Sequence, residues 1–444
     1  MNTLKKIGKI IIPKKFFNTA QPYWHRLQSL RASLMYGYPA RKMVIIGVTG
    51  TKGKTSTANY IWSVLTAAGY KAGLIGTANI RIGEKERLNP YHMTMPGAYI
   101  LQKLLYTIHK AGCTHCVLEI TSEGIKLNRH KGVYPDVVLF TNLFPEHLPS
   151  HGGSFEMYKA TKGTIFNELM GGRRKKISGV PPKTIIANID SEHAEYFLNF
   201  NAEQKITFSI HGNADVKAER VINTERGAAF NALAADFKTS IPGIFNVYNA
   251  LGAIAVGRAL SIPLDKIKEG ISSLFLIPGR MEKIESGQPF TVFVDYAHEK
   301  ESMGLLLSTA KEMVNESGSK IIVLLGAEGG GRDKAKRPAM GELAGKLADY
   351  VVVSNVDPYA DDPKEIIEDI AKVTEAQGKV RGENLFTIED RREGIRKALS
   401  LAQEGDVVLI TGKGSEQSMI IGEVTIPWDD RDVVREELEK ITRQ

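Results

Sequence analysis

Between Met43 and Ser56 the chain runs from a β-branched segment directly into a glycine-rich turn, Gly47-Val48-Thr49-Gly50-Thr51-Lys52-Gly53-Lys54-Thr55-Ser56, and then into a helical pattern. No other stretch constrains the fold as much. Glycines at 47, 50 and 53 let backbone N–H groups turn inward, and the helix that follows adds the positive end of its dipole, so the loop suits a phosphate. The spacing is not the usual G-x-x-x-x-G-K-[ST], because position 48 is valine. A Gly-Lys-Thr can arise by chance, but the strand-loop-helix context favours a nucleotide cradle over residues 50–56. Lys54 would then reach the terminal phosphates and the Thr55 hydroxyl would face Mg²⁺.

The rhythm around the loop is that of a parallel sheet covered by helices. Strands are expected at Met43 to Val48, Lys71 to Gly76, Thr114 to Ile120 and Asp136 to Thr141, and helices at Thr55 to Ala68 and Gly97 to Ala111. After Pro278-Gly279 the rhythm restarts, with strands expected at Thr291 to Tyr296, Lys320 to Gly326, Tyr350 to Ser354 and Val407 to Thr411 and a helix at Lys336 to Leu347. The expected α/β organisation is a short basic N-terminal segment (1–42), a central P-loop domain with a parallel sheet (43–278) and a C-terminal Rossmann-like domain (279–444). Met170 to Pro182, rich in Gly, Arg, Lys and Pro, is expected to be an exposed loop. An amphipathic helix is expected around Tyr23 to Tyr36, packed on the first domain or lying at a membrane surface.

The composition is that of a soluble protein, with no apolar run long enough to span a bilayer and no signal peptide, so a cytoplasmic location is expected. Cys113 and Cys116 form a lone C-x-x-C without the partners of a zinc site or the helix start of a redox motif, and are expected to be buried free thiols. The net charge of +8 is uneven. Residues 1–83 hold thirteen Lys and Arg and no Asp or Glu, leaving the remainder at −5. This polarity points to an anionic partner: a nucleotide, a nucleotide-linked substrate or an acidic lipid at the inner membrane face. Nucleic acid is not expected, since the basic stretch is largely one short segment and a phosphate loop.

Further motifs follow the loop in order: Leu118-Glu119-Ile120-Thr121-Ser122 with Arg129 ten residues beyond Glu119; Phe140-Thr141-Asn142-Leu143 and Glu146-His147; Tyr158-Lys159-Ala160-Thr161-Lys162; Phe245-Asn246-Val247-Tyr248-Asn249; Gly279-Arg280-Met281-Glu282; Val294-Asp295-Tyr296-Ala297-His298; Gly331-Arg332-Asp333-Lys334; and Gly412-Lys413-Gly414-Ser415-Glu416. Together they resemble the Mur ligase family, ATP-dependent enzymes that add amino acids to the peptide of cell-wall precursors. The Gly-Arg-Met-Glu and Asp-Tyr-Ala-His elements look most like the MurE type, UDP-N-acetylmuramoyl-tripeptide synthetase, which adds the third residue. Lys52 stands where that family usually has asparagine.

The resemblance implies ATP and Mg²⁺. Thr55 and Glu119 would hold one metal, and Glu119, His147 and Lys162 a second, with Lys162 carried as a carbamate formed with CO₂. Lys54, Glu119, His147 and Lys162 would form the catalytic set. Asn142, Asn249, Arg280 and Asp295 would contact the nucleotide. Thr94, Thr121, Ser122, Arg129 and His298 would meet the acceptor, and Arg332, Asp357, Tyr359 and Glu416 the incoming amino acid. Plainer readings stand beside these: an exposed helix lysine for Lys162, a capping or core histidine for His147, a strand-end carboxylate for Glu119, a helix cap for Asn249, a turn residue for Asp295 and an interdomain ion pair for Arg280.

The chain also departs from the family pattern. Only some forty-six residues precede Gly47, where the family's domain for the uridine nucleotide usually lies, so a UDP-linked and a lipid-linked muramoyl peptide both stay open as acceptor. Val356-Asp357-Pro358-Tyr359 stands where diaminopimelate-specific members show Asp-Asn-Pro-Arg. Losing that arginine removes the fork for a distal carboxylate, which favours a diamino acid with a plain ammonium tail, such as lysine, received by Asp357 or Glu416. The rival readings are a folylpolyglutamate synthase-like glutamate ligase and a non-catalytic ATP-binding scaffold.

Overall fold

A computed structural model describes residues 14–442 apart from 92, 147, 172–173, 225 and 315–317. The chain divides into two compact units, the first formed by residues 1–219, 231–237 and 248–273 and the second by 220–230, 238–247 and 274–444.

The first unit is built on a nine-stranded sheet in the order β4-β3-β2-β5-β1-β6-β7-β8-β9. Its centre is β1 (Val44–Thr49), flanked by β5 (His115–Glu119) and β6 (Val137–Phe140), with β2 (Ala72–Ile75) beyond β5. These four strands are parallel and wholly buried, which is why they read as continuous apolar runs rather than alternating ones. β7 (Thr184–Asn188), β8 (Gln204–Ser209) and β9 (Val216–Lys217) extend the parallel run. β3 (Asn79–Ile82) and β4 (Lys85–Leu88) add an antiparallel edge that the sequence pattern did not reveal. A separate three-stranded sheet, β10 (Glu219–Thr224), β11 (Gly227–Ala232) and β12 (Ala235–Thr239), was likewise not foreseen.

The second unit carries a six-stranded sheet in the order β13-β14-β18-β15-β16-β17. β14 (Thr291–Asp295), β18 (Val407–Thr411), β15 (Ile321–Leu325), β16 (Tyr350–Val353) and β17 (Leu385–Thr387) are parallel, and β13 (Glu282–Ile284) pairs antiparallel at one edge. A small hairpin, β19 (Ser418–Ile421) and β20 (Val424–Pro427), follows. In the first unit β1 lies between β5 and β6, with crossovers to both sides of it, and the carboxyl ends of such strands are the usual place for a ligand in an open α/β sheet.

The segment 170–182 holds no regular element among its described residues, as expected of a loop, but it is not wholly exposed. Lys175 is buried, donating to the Met43 carbonyl at 2.8 Å and to Asp136 at 2.5 Å, and Lys183 reaches the other oxygen of that carboxylate at 3.0 Å. Asp136 has no exposure and also accepts from the Ile45 amide, so this cluster pins the loop beneath the start of β1. Cys113 and Cys116 are buried free thiols, and burial pushes both pKa values up.

His115, at the start of β5, bonds the Thr114 hydroxyl through Nδ1 at 2.8 Å and lies 4.2 Å from the Tyr70 ring. Burial lowers its pKa from 6.5 to about 4, against the opposing pull of Asp136. Between these values the unfolded chain takes up a proton that the folded chain refuses. The stability is therefore intact above pH 6.5 and declines as the pH falls towards 4, by up to about 3 kcal/mol. In urea titrations at pH 7 and pH 4.5, His115→Gln should show a smaller loss between the two pH values than the parent protein. Equal losses would remove His115 as the cause.

Candidate active site

The loop after β1 reaches the helix Lys54–Ala67 through Gly53, at φ 81°, where a Cβ would stand 2.5 Å from Asn249 Oδ1. At Gly50 a Cβ would meet the Thr141 hydroxyl at 2.0 Å. Both positions admit only glycine. The loop is strapped to the end of β6: the Thr141 hydroxyl donates to the Lys52 carbonyl at 2.6 Å, Asn142 Oδ1 accepts from the Lys52 amide at 2.8 Å, and the Asn142 carbonyl accepts from the Thr51 amide at 2.9 Å. Asn142 thus acts on the loop backbone. The Thr51 hydroxyl accepts from the Phe144 amide at 3.0 Å and lies 3.1 Å from the Tyr158 hydroxyl, while Lys52 pairs with Glu146 at 3.1 Å. Ser56 is buried in the first helical turn, and Asn249 Oδ1 accepts from the Thr57 hydroxyl at 3.1 Å.

Glu119 ends β5 directly beside Val48 and has no exposure. Its Oε2 accepts from the hydroxyls of Thr55 at 3.1 Å and Thr77 at 2.9 Å, and its Oε1 from the Thr77 amide at 2.7 Å. The Thr94 hydroxyl joins this set 2.8 Å from that of Thr77. All three donors are neutral. Together with the Thr55 hydroxyl the carboxylate forms an all-oxygen donor set suited to Mg²⁺.

Lys162 lies on the helix Phe155–Asn167, is only 2% exposed, and donates to the Gly50 carbonyl at 2.8 Å, its Nζ 4.7 Å from the Tyr158 ring centre. The exposed-helix alternative is therefore wrong for this residue. Lys54 Nζ folds back onto the same Gly50 carbonyl at 3.1 Å and onto that of Thr51 at 2.8 Å. Burial, and then the charge of Lys54, lower the Lys162 pKa well below the ordinary lysine value, against the pull of Glu146. The neutral amine is the form of a lysine that adds to CO₂, and a lowered pKa raises its share. His147 lies outside the described residues.

Thr121 caps the helix Ser122–Lys126, accepting from the Gly124 amide at 3.1 Å, and the Ser122 hydroxyl lies 3.1 Å from His151 Nε2. Arg129 donates to the Met95 carbonyl at 2.8 Å. Thr121 thus has a structural task already.

In the second unit Asp295, at the end of β14, accepts from the amides of Met281 at 2.7 Å and Ala297 at 2.8 Å. Burial raises its carboxyl pKa, opposed by Arg280. The Arg280 guanidinium lies 4.3 Å from the Tyr296 ring centre. His298 Nδ1 is 2.6 Å from the Tyr296 carbonyl oxygen, and Nε2 is 3.4 Å from Glu299. Beyond β16 and β18 a cluster forms that motif reading missed: the buried Lys413 holds Asp357 at 2.8 Å and Glu416 at 2.6 Å, and the Tyr296 hydroxyl donates to Glu416 at 3.1 Å. Burial pulls the Lys413 pKa down, but Glu416 and Asp357 outweigh it and hold it above the ordinary value. Both carboxylates expected to await an amine are therefore already paired with one lysine. Arg332, half-exposed, lies 3.8 Å from Glu328 and 3.5 Å from the Tyr359 hydroxyl. Burial would raise the Glu328 pKa, but Lys336, His298 and Arg332 together lower it to about 2.

A phosphate loop with a buried metal-type carboxylate in one unit, and a Rossmann-like sheet carrying charged strand tips in the other, define an ATP-using α/β enzyme. Comparison with known proteins narrows the class. The Mur ligase middle domain matches residues 48–257, and the Mur ligase, glutamate ligase domain matches 279–414. A UDP-N-acetylmuramyl-tripeptide synthetase of Roseiflexus sp. (strain RS-1) is 38% identical over 92% of this chain and 81% of its own length. A UDP-N-acetylmuramoyl-L-alanyl-D-glutamate--2,6-diaminopimelate ligase of Caldanaerobacter subterraneus subsp. tengcongensis is also 38% identical, over 91% and 80%. A solved ligase of that second name aligns with a TM-score of 0.61 at 28% identity, covering 90% of this chain and 79% of that one. A Mycobacterium tuberculosis folylpolyglutamate synthase has a TM-score of 0.69 at 17% identity, covering 88% and 92%, a likeness of fold alone. The chain belongs to the Mur ligase family and is an ATP-dependent amino-acid ligase of cell-wall peptidoglycan synthesis.

Replacing Glu119 by Gln keeps the acceptor for the Thr77 amide and removes the charge. Mg²⁺-dependent ATP affinity should fall at least about tenfold with little change in Tm. Calorimetric titration with and without Mg²⁺ measures this, and equal affinities in the two proteins would exclude Glu119 as a metal holder.

Proposed function

We propose that this ligase adds a diamino acid, with lysine preferred, to a UDP-N-acetylmuramoyl-dipeptide or a closely related muramoyl peptide. The relatives whose names specify this acceptor support the reading, since they align along nine tenths of the chain. The observation that carries it is Lys162, a buried amine beside the phosphate loop whose pKa is lowered by burial and by the charge of Lys54, which a simple nucleotide-binding scaffold has no use for.

In this proposal residues 43–278 serve ATP and the acceptor, 279–444 serve the incoming amino acid, and 1–42 form a short basic N-terminal segment. ATP supplies the phosphoryl group that activates the acceptor carboxylate as an acyl phosphate, and Mg²⁺ offsets the charge on the phosphates. Thr55 and Glu119 would hold one metal. The Lys162 amine would add to CO₂ with loss of a proton, giving an anionic oxygen ligand where an ammonium cannot ligate a cation, and Glu119 and His147 would hold a second metal with it. Lys54 turns from the Gly50 and Thr51 carbonyls towards the terminal phosphates, the backbone of residues 50–56 cradles them, and Asn142 keeps that backbone in place. Asn249, Arg280 and Asp295 serve the nucleotide. Thr94, Thr121, Ser122, Arg129 and His298 orient the acceptor. Arg332 takes the α-carboxylate of the amino acid, with Tyr359 beside it. Asp357 and Glu416 receive the side-chain ammonium, since two carboxylates share the single charge of Lys413 and the cluster retains an excess negative charge. The amine displaces phosphate, leaving the amide.

Incubation with ATP, Mg²⁺, bicarbonate, UDP-muramoyl-alanyl-glutamate and mixed amino acids should give phosphate release and a mass gain of one lysine. A gain of diaminopimelate would overturn the specificity, and ATP binding without acceptor-dependent phosphate release would overturn the ligase reading. With ¹³C-bicarbonate, a carbamate carbon signal should appear in the parent protein and vanish in Lys162→Ala, whose activity should fall at least about a hundredfold.

A further inference from the structure

A helix on a globular protein normally turns its apolar stripe inward. The helix Lys14–Met35 does the reverse. Its inward side is small and polar: Ser29, Ala32 and Ser33 have no exposure, and the Ser29 hydroxyl donates to the Asn128 carbonyl at 2.9 Å. Its outward side is apolar. Tyr23, Leu27, Leu30 and Leu34 follow one another at helical spacing and are 72%, 49%, 43% and 66% exposed, with Trp24 beside them at 56%. Exposed Arg26 and Arg31 border this stripe on its two sides. Polar groups have been placed where apolar ones would stabilise the fold, and apolar ones where water would meet them, an arrangement that suits a partner on the outer face.

The charge around the stripe selects the partner. No Asp or Glu occurs in residues 1–83, while Lys5, Lys6 and Lys9 precede the helix in sequence and Lys14 and Lys15 open it. A second copy of the chain would bring cation against cation. A surface that is apolar in its interior and negative at its rim fits both features, as does the Trp and Tyr content, since these rings favour the boundary between headgroup and acyl chain. We propose that the outward face of the helix Lys14–Met35 docks on an anionic phospholipid bilayer, the helix lying in the interfacial plane with Leu27 and Leu30 towards the acyl chains and Arg26 and Arg31 at the lipid phosphates. Among the described residues no helix is long and apolar enough to cross a membrane, so this contact would be peripheral. It is independent of the amino acid the enzyme adds.

The test is flotation of the full chain with vesicles of phosphatidylcholine alone or mixed with phosphatidylglycerol. The protein should float with the anionic vesicles only, and less as salt rises. Leu27→Ser with Leu30→Ser, and separately Arg26→Gln with Arg31→Gln, should each weaken vesicle binding at least about tenfold while leaving ATP affinity and Tm unchanged. Three results would overturn the proposal. The first is no flotation with anionic vesicles. The second is binding that depends on the arginines but not on the leucines, with DNA held equally well, which is charge attraction alone. The third is a dimer in sedimentation that the leucine variants convert to monomer without vesicle binding, which assigns the face to a second copy.

Discussion

Two lysines share one carbonyl oxygen. Lys54 and Lys162 both direct Nζ at the Gly50 carbonyl, and the environment admits little water. Burial disfavours the charge on Lys162, and the charge of Lys54 adds to this, so the Lys162 pKa falls well below the ordinary lysine value. The phosphate loop and the residue proposed for carbamylation are therefore one electrostatic unit. Its geometry depends on the straps from Thr141 and Asn142 and on Tyr158, which touches both the Thr51 hydroxyl and Lys162. If the loop relaxed, the Gly50 carbonyl would leave both lysines, and the Lys54 charge would no longer be held beside Lys162.

The legible part of this arrangement is what lies within one strand, loop and helix. The strands around the phosphate loop and the helix Lys336–Leu347 were readable, because fully buried parallel strands are continuous apolar runs and glycine marks the turn between them. The supports were not readable, because each is a pair formed across the sheet. Thr77 reaches Glu119 from 42 residues away, Tyr158 reaches Thr51 from 107, and Lys413 reaches Asp357 from 56. Nothing in the local pattern of Thr77 or Lys413 separates it from an ordinary surface threonine or lysine. The loop at 170–182 misled for the same reason: its composition is that of an exposed turn, and the buried Asp136 just before β6 draws Lys175 inward. Edge elements such as β3 and β4 escaped because they are short and partly polar, with too few residues to show a period.

Charge is managed differently at the two sets of strand ends. In the first unit a carboxylate is held by neutral donors and the pKa of a buried lysine is lowered, which disfavours positive charge beside the phosphate loop. In the second unit the charges are retained and paired unevenly. Lys413 stays protonated between Asp357 and Glu416, and Glu328 stays ionised between Lys336 and Arg332. An α-amino acid with a cationic side chain brings one carboxylate and two ammonium groups, so a site for it needs one accessible cation and a surplus of anions. Arg332 is half-exposed, and the Lys413 cluster holds two carboxylates for one cation. A second guanidinium for a distal carboxylate is what this arrangement lacks at Tyr359, whose hydroxyl can accept or donate a hydrogen bond but cannot neutralise an anion. The balance of charges at these strand ends is the physical basis on which the proposal of a diamino acid rests.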